Sequence, residues 1–165
     1  MSQGKKVSRT EARRAARQLT LQGLFQWQMT GASIQQIELQ IRAAQPDDAL
    51  ESYEDISAAV EVADLAYFNE LLHNIPQSKN ELDEHFASLL DRRVDELDLV
   101  ELAILRIGAY ELSKRIDVPY RVVINEGIEM AKRFGATESH KYINGILDKL
   151  AARLRTVEVN ARRKG

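Results

Sequence analysis

The sequence predicts an all-α fold of about seven helices packed around one central apolar helix. Three observations carry that expectation. Between Leu97 and Leu112 eleven of sixteen residues are apolar: Leu97, Leu99, Val100, Leu102, Ala103, Ile104, Leu105, Ile107, Ala109, Tyr110 and Leu112. The run is too long for one strand, rich in Leu and Ala and without a polar face, so it reads as a helix surrounded on all sides. Elsewhere apolar residues recur at spacings of three and four, and no stretch alternates as a strand does. A chain of 165 residues also buries roughly 70% of the surface its unfolded form exposes, so such a core needs no covalent staples.

Residues 1 to 8 read as disordered. A helix then runs from about Arg9 to Thr30 and ends at Gly31 as a left-handed cap. Arg9, Arg13 and Arg17, four apart, line one face of its first half, while Leu19, Leu21, Leu24, Phe25, Trp27 and Met29 point in most directions and require burial. Ser33 with Gln36 resembles a capping box for a short helix to about Arg42, followed by a loop at Pro46, Asp47 and Asp48. The next helix begins near Ile56, carries Leu65, Phe68, Leu72 and Ile75 as its core stripe, and stops before Pro76. Ser78 and Glu81 form a second capping box for a helix with Leu82, Phe86, Leu89 and Leu90 inward, reaching about Arg92.

Asp95 starts the central helix, where Asp98 and Glu101 sit near the positive end of the macrodipole and Lys114 and Arg115 near the negative end. Arg106, the lone charge midway, reads as a snorkelling or paired structural residue. After a break at Asp117, Val118 and Pro119 comes a helix with Ile124, Ile128, Ala131 and Phe134 inward, terminated by Gly135. Thr137 or Ser139 caps the last helix, whose stripe is Ile143, Ile146, Leu147, Leu150, Ala151 and Leu154. From about Thr156 to Gly165 periodicity is lost, and a disordered tail is expected on a single domain spanning 1–165.

The chain has no Cys, which removes disulfides, thiolate metal sites and cysteine nucleophiles and fits a reducing cytoplasm. The N-terminus has charge but no apolar signal region, and nothing approaches the ~20 apolar residues of a membrane span, so the expectation is a soluble, cytoplasmic protein. Net charge is -2, unevenly spread. Met1 to Arg17 holds Lys5, Lys6, Arg9, Arg13, Arg14 and Arg17 against Glu11. Asp47 to Glu101 holds sixteen acidic residues against Lys79, Arg92 and Arg93, and from Leu102 onward thirteen basic face seven acidic. A basic arm suits phosphate neutralisation, and equally a solvated terminus.

Catalytic motifs are missing: there is no glycine-rich phosphate loop, no helical pair of His at metal spacing and no nucleophile motif. Ser139 and His140 are adjacent, and neighbouring helical residues point about 100° apart, which disfavours a nucleophile–base pair. Capping explains Ser139 better. Asp95, Glu96 and Asp98 fit caps and dipole partners better than a cation site.

Three segments are more specific. One is the opening helix with Arg13, Arg14, Arg17, Gln22, Leu24, Phe25, Trp27 and Gln28. A second holds Leu105, Arg106, Ile107, Tyr110, Glu111, Leu112, Ser113, Lys114 and Arg115. The densest runs from Val118, Pro119 and Tyr120 through Ile124, Asn125, Glu126, Ala131, Lys132, Phe134 and Gly135 to Ser139, His140, Lys141, Tyr142, Asn144, Gly145, Leu147, Asp148 and Lys149. Together they span nearly the whole chain and resemble the NusB family of bacterial transcription antitermination factors.

The resemblance implies an all-helical fold of two small helical subdomains, with no reaction and no cofactor. It implies binding of boxA RNA in ribosomal-RNA operon leaders as a heterodimer with NusE, the small-subunit ribosomal protein that also serves in transcription. The complex would help RNA polymerase read through terminators; homodimerisation stays open. By motif position, Arg13, Arg14 and Arg17 would contact RNA phosphates and Phe25 would lie by the bases. Glu138, Ser139, His140, Lys141 and Tyr142 would form an opposing lip, and Glu101 would face the protein partner. Phe25 stands where the family often has Tyr, and Gly23 sits inside a helix at a cost of about 1 kcal/mol relative to Ala. Two other readings remain: the fold is similar to the accessory domain of certain RNA methyltransferases, though no methyl-donor site is visible, and a helical scaffold without an RNA role needs none of these contacts.

Overall fold

The structure is a computed structural model that describes residues 6–45 and 51–164. Among the described residues there are nine α-helices, one 3-10 turn and no strand. They are α1 (Arg9–Thr30), α2 (Ile34–Arg42), α3 (Glu51–Val62), α4 (Leu65–Gln77), α5 (Lys79–Ala87), the 3-10 turn Val94–Glu96, α6 (Leu99–Lys114), α7 (Tyr120–Phe134), α8 (Ser139–Leu154) and α9 (Thr156–Lys164). The chain divides into two compact units, Met1–Asn74 and Ile75–Gly165, with the division falling within α4. The expected loop at Pro46, Asp47 and Asp48 lies outside the described residues.

In the first unit α1 packs against α2 and α3. Ser8, expected to be disordered, caps α1: its Oγ accepts from the Glu11 N–H at 3.1 Å. The helix ends as the sequence predicts, with Gly31 at φ 69 and its N–H donating to the Trp27 carbonyl. Gly23 has a packing reason, because a Cβ there would lie 2.7 Å from Leu72 Cδ1; the helix gives up propensity for close approach of a buried Leu. Ser33 Oγ caps α2 through the Gln36 N–H.

The single helix expected from Ile56 to Ile75 is in fact two. Asp64 starts α4, its Oδ1 accepting from the Tyr67 N–H at 3.0 Å, while its own N–H donates to the Ala12 carbonyl of α1. The apolar stripe continues across this break, so periodicity alone hides it. Pro76 lies inside the last turn of α4 instead of beyond it. Glu38 of α2 ties α2 to α4: it accepts from Asn69 and stands 2.6 Å from His73 Nε2. Burial pushes its carboxyl up, but the hydrogen bonds from His73, Asn69 and Arg42 outweigh this and hold it below the ordinary carboxylate value.

The second unit is built on α6, which packs against α5, α7 and α8. Every residue from Leu102 to Leu112 is buried. The helix begins later than the sequence suggests, because Asp98 is its N-cap, accepting from the Val100 and Glu101 N–H groups at 2.9 and 3.2 Å. Asp95 belongs to the preceding 3-10 turn. Arg106 is paired: Nε and Nη2 each reach an Asp83 carboxylate oxygen at 2.8 Å, with the Arg side chain 5% exposed. Leu147 of α8 sits where a Cβ on either Gly108 of α6 or Gly127 of α7 would come within 2.6 Å of it. The two helix-interior glycines thus make the seat for one buried Leu.

Four further expectations are corrected in this unit. Ser78 makes no side-chain cap, and α5 stops at Ala87 instead of near Arg92. Gly135 does end α7, as the sequence predicts, with an extended backbone, φ -89 and ψ 173. Neither Thr137 nor Ser139 caps α8: Glu138 holds the cap position at φ 71, and Ser139 is the first helical residue. The tail from Thr156 is helical, because Val159 is buried at 4% exposure and Arg155 and Glu158 anchor the segment through hydrogen bonds. Too few apolar residues remain there to show a period. Among the described residues no helix is long and apolar enough to cross a membrane.

Candidate nucleic-acid interface

The sequence-predicted site residues fall on two surfaces, one in each unit. On α1 the three arginines differ. Arg14 is exposed, Arg13 half-buried, and Arg17 buried at 2% exposure. The guanidinium carbons of Arg13 and Arg17 lie 4.5 and 5.7 Å from the centroid of the Tyr67 ring, itself buried. This aromatic of α4, which the sequence did not single out, orients both cations by attraction to its π face. Phe25 is half-buried. It follows Arg14 by eleven residues, which at 3.6 residues per turn brings the two within about 20° around the helix and about 16 Å along it. One side of α1 therefore displays a cation and an aromatic.

The second surface gathers around the start of α8. Ser139 is buried and its hydroxyl donates to Glu101 Oε2 at 2.8 Å. Glu101 is half-buried, so its carboxylate holds the first turn of α8 against α6. Glu138 and Lys141 pair with each other, both exposed, and His140 is half-buried. Tyr142 donates its hydroxyl to Asp91 Oδ1 at 2.8 Å, and the Arg92 guanidinium lies 4.9 Å from the Tyr142 ring centroid. The hydrogen bond from Arg92, aided by that from Tyr142, lowers the Asp91 carboxyl to about 2. Burial, then the bond to Asp91, raises the Tyr142 phenol. Arg92 holds its proton more firmly through Asp91, and the charge of Glu101 acts in the same direction. At neutral pH the cluster is therefore a carboxylate, a guanidinium and a neutral phenol.

Ser139 is hydrogen-bonded to a carboxylate and not to His140. Among the described residues no group of three or more His, Asp or Glu could hold a metal ion. Exposed cations and half-buried aromatics on helices are suited to holding a polyanion with stackable bases.

The NusB family model matches residues 14–152. The chain belongs to the NusB family. It is 59% identical over 154 residues to the transcription antitermination protein NusB of Chromohalobacter salexigens, covering 93% of each chain. It is 51% identical over 160 residues to that of Marinomonas sp., covering 97% of this chain and 86% of the relative. A solved structure of T. maritima NusB is similar at a TM-score of 0.66 and 26% identity, covering 88% of this chain and 92% of that one. The NusB match takes in Arg14, Arg17, Phe25, Glu101 and the whole 138–142 segment, and begins one residue after Arg13. Asp91 and Arg92 also lie within it, although in the sequence they stand at the end of an expected helix and carry no motif. Their only signal was an acid–base pair beside a Leu-Leu helix end, which is common in exposed turns.

Proposed function

We propose that this chain is a transcription antitermination factor that binds boxA-type single-stranded RNA of ribosomal-RNA operon leaders, together with NusE, and so promotes read-through by RNA polymerase. The transcription antitermination proteins among its relatives support the antitermination role. The observation that carries RNA binding is the shared side of α1, where exposed Arg14 and half-buried Phe25 offer a phosphate its counter-charge and a base an apolar plane. Arg13 and Arg17 back this face from the Tyr67 ring, and the second unit carries a cation and an aromatic of its own, exposed Lys141 and half-buried Tyr142. The role asks for no bond making or breaking, only for positioning.

Glu101 is proposed to meet a basic surface of NusE. Because it also accepts from Ser139, Glu101→Gln is the informative variant: the amide oxygen can keep the Ser139 bond while the charge goes. Titration with NusE is expected to show association weakened by about 1 to 3 kcal/mol, as for loss of one partner of an interfacial charge pair, with an unchanged melting temperature and unchanged binding of boxA RNA by the protein alone. Undiminished affinity for NusE would remove Glu101 from the interface.

A further inference from the structure

The loop between α5 and the 3-10 turn carries Asp91 and Arg92, which the proposed function leaves idle. Arg92 donates from Nε to Asp91 Oδ1 at 2.7 Å and from Nη2 to Oδ2 at 3.1 Å. Tyr142 donates to the same Oδ1, and its ring lies under the guanidinium at 4.9 Å. The carboxylate thus clamps one edge of the guanidinium plane and the phenol supports one face. The Arg92 side chain nevertheless keeps 42% of its surface exposed, and Asp91 keeps 64%.

We propose that Arg92, seated on Tyr142, is a base-stacking platform for single-stranded RNA, an inference that rests on the RNA-binding reading and deepens it. A guanidinium is planar and weakly hydrated, and unstacked bases lie on such planes as they do on aromatic rings. Tyr142 alone would be the obvious stacking residue of this turn. With Arg92 over its ring, the surface a base meets is the guanidinium. Asp91 already matches the Arg92 charge in a two-point contact, so Arg92 acts through its plane and contributes little as a phosphate counter-ion. The clamp also fixes rotamers that an exposed Arg would otherwise have to give up on binding.

The test is fluorescence anisotropy of a labelled single-stranded boxA RNA, titrated with the full chain over a range of salt. Arg92→Ala is expected to weaken binding about 5- to 150-fold, the range for losing one stacked base, with the salt slope unchanged. Arg92→Lys keeps the charge without the plane and should lose affinity as Arg92→Ala does. Both should melt with the unchanged chain, since the residue lies in an exposed turn. Wild-type affinity in Arg92→Ala, or its restoration by Arg92→Lys, overturns the platform while leaving RNA binding standing. A salt slope shallower by about 1 in Arg92→Ala marks a phosphate contact and overturns it equally. If the unchanged chain does not bind the RNA, the RNA-binding reading falls and the platform with it.

Discussion

Arg155→Ala is expected to destabilise the second unit by about 3 to 5 kcal/mol, the range for breaking a buried, hydrogen-bonded charge. Arg155 is 7% exposed. Its Nε donates to the Leu112 carbonyl at 2.8 Å, and its Nη2 to those of Glu111, Arg115 and Val118 at 3.0–3.1 Å. These carbonyls belong to the last turn of α6 and to the connection into α7, where a helix leaves acceptors without intrahelical partners and its dipole favours a cation. Nη1 holds Glu158 Oε2 at 2.7 Å, and Glu158 Oε1 accepts from the Tyr120 N–H at the start of α7. One i,i+3 pair at the α8–α9 junction therefore serves the negative end of one helix and the positive end of the next. Arg155→Lys should recover less than half of the loss, since a single ammonium cannot reach four carbonyls spread around a planar fork. Urea unfolding followed by circular dichroism gives the answer, and a loss under about 1 kcal/mol would mean that water replaces Arg155 without penalty.

Leu105→Ala is the second large effect, expected to cost about 2 to 5 kcal/mol because the removed methyl groups leave a cavity in close-packed surroundings. Leu105 is fully buried on a helix whose neighbours α5, α7 and α8 pack around it. The neighbouring fit is tight on the α7 and α8 sides, where Leu147 already occupies the space beside Gly108 and Gly127, so little can move in to fill the void. The same urea measurement checks it. A cost below about 1 kcal/mol would show that α6 is not the packed centre of its unit.

What the sequence made legible follows from which physics is local. The run Leu97–Leu112 is apolar in every direction, and that alone places α6 in the middle. Gly31 and Ser33 act within four residues of themselves, so the end of α1 and the start of α2 are readable. Asp64 is different: its cap is local, but the apolar stripe from Ile56 to Ile75 continues across it, and the tertiary bond from its N–H to Ala12 decides where the helix breaks. The helicity of α9 was hidden for the same reason, because Arg155 and Glu158 bond to residues some forty positions earlier in the chain. Ser139 looked like a cap because its partner, Glu101, is thirty-eight residues away.

The candidate site was legible by residue and not by environment. Arg13, Arg14 and Arg17 read as equivalent cations, yet Tyr67 engages two of them and Arg17 is buried. Replacing all three would disturb the core of the first unit along with any phosphate contact. Arg14 is the sharper probe of the proposed phosphate contact, since it is exposed while Arg17 is buried.

The most direct measurement is the equilibrium affinity for single-stranded boxA RNA across a salt series, for the unchanged chain and for Arg14→Ala. Binding that weakens linearly with the logarithm of salt, and an Arg14→Ala variant that is weaker with a slope reduced by about 0.7 to 1, is the expected result for one lost phosphate contact on a single strand. An Arg14→Ala variant with the affinity and slope of the unchanged chain, or an unchanged chain that fails to bind the RNA at low salt, would contradict the account.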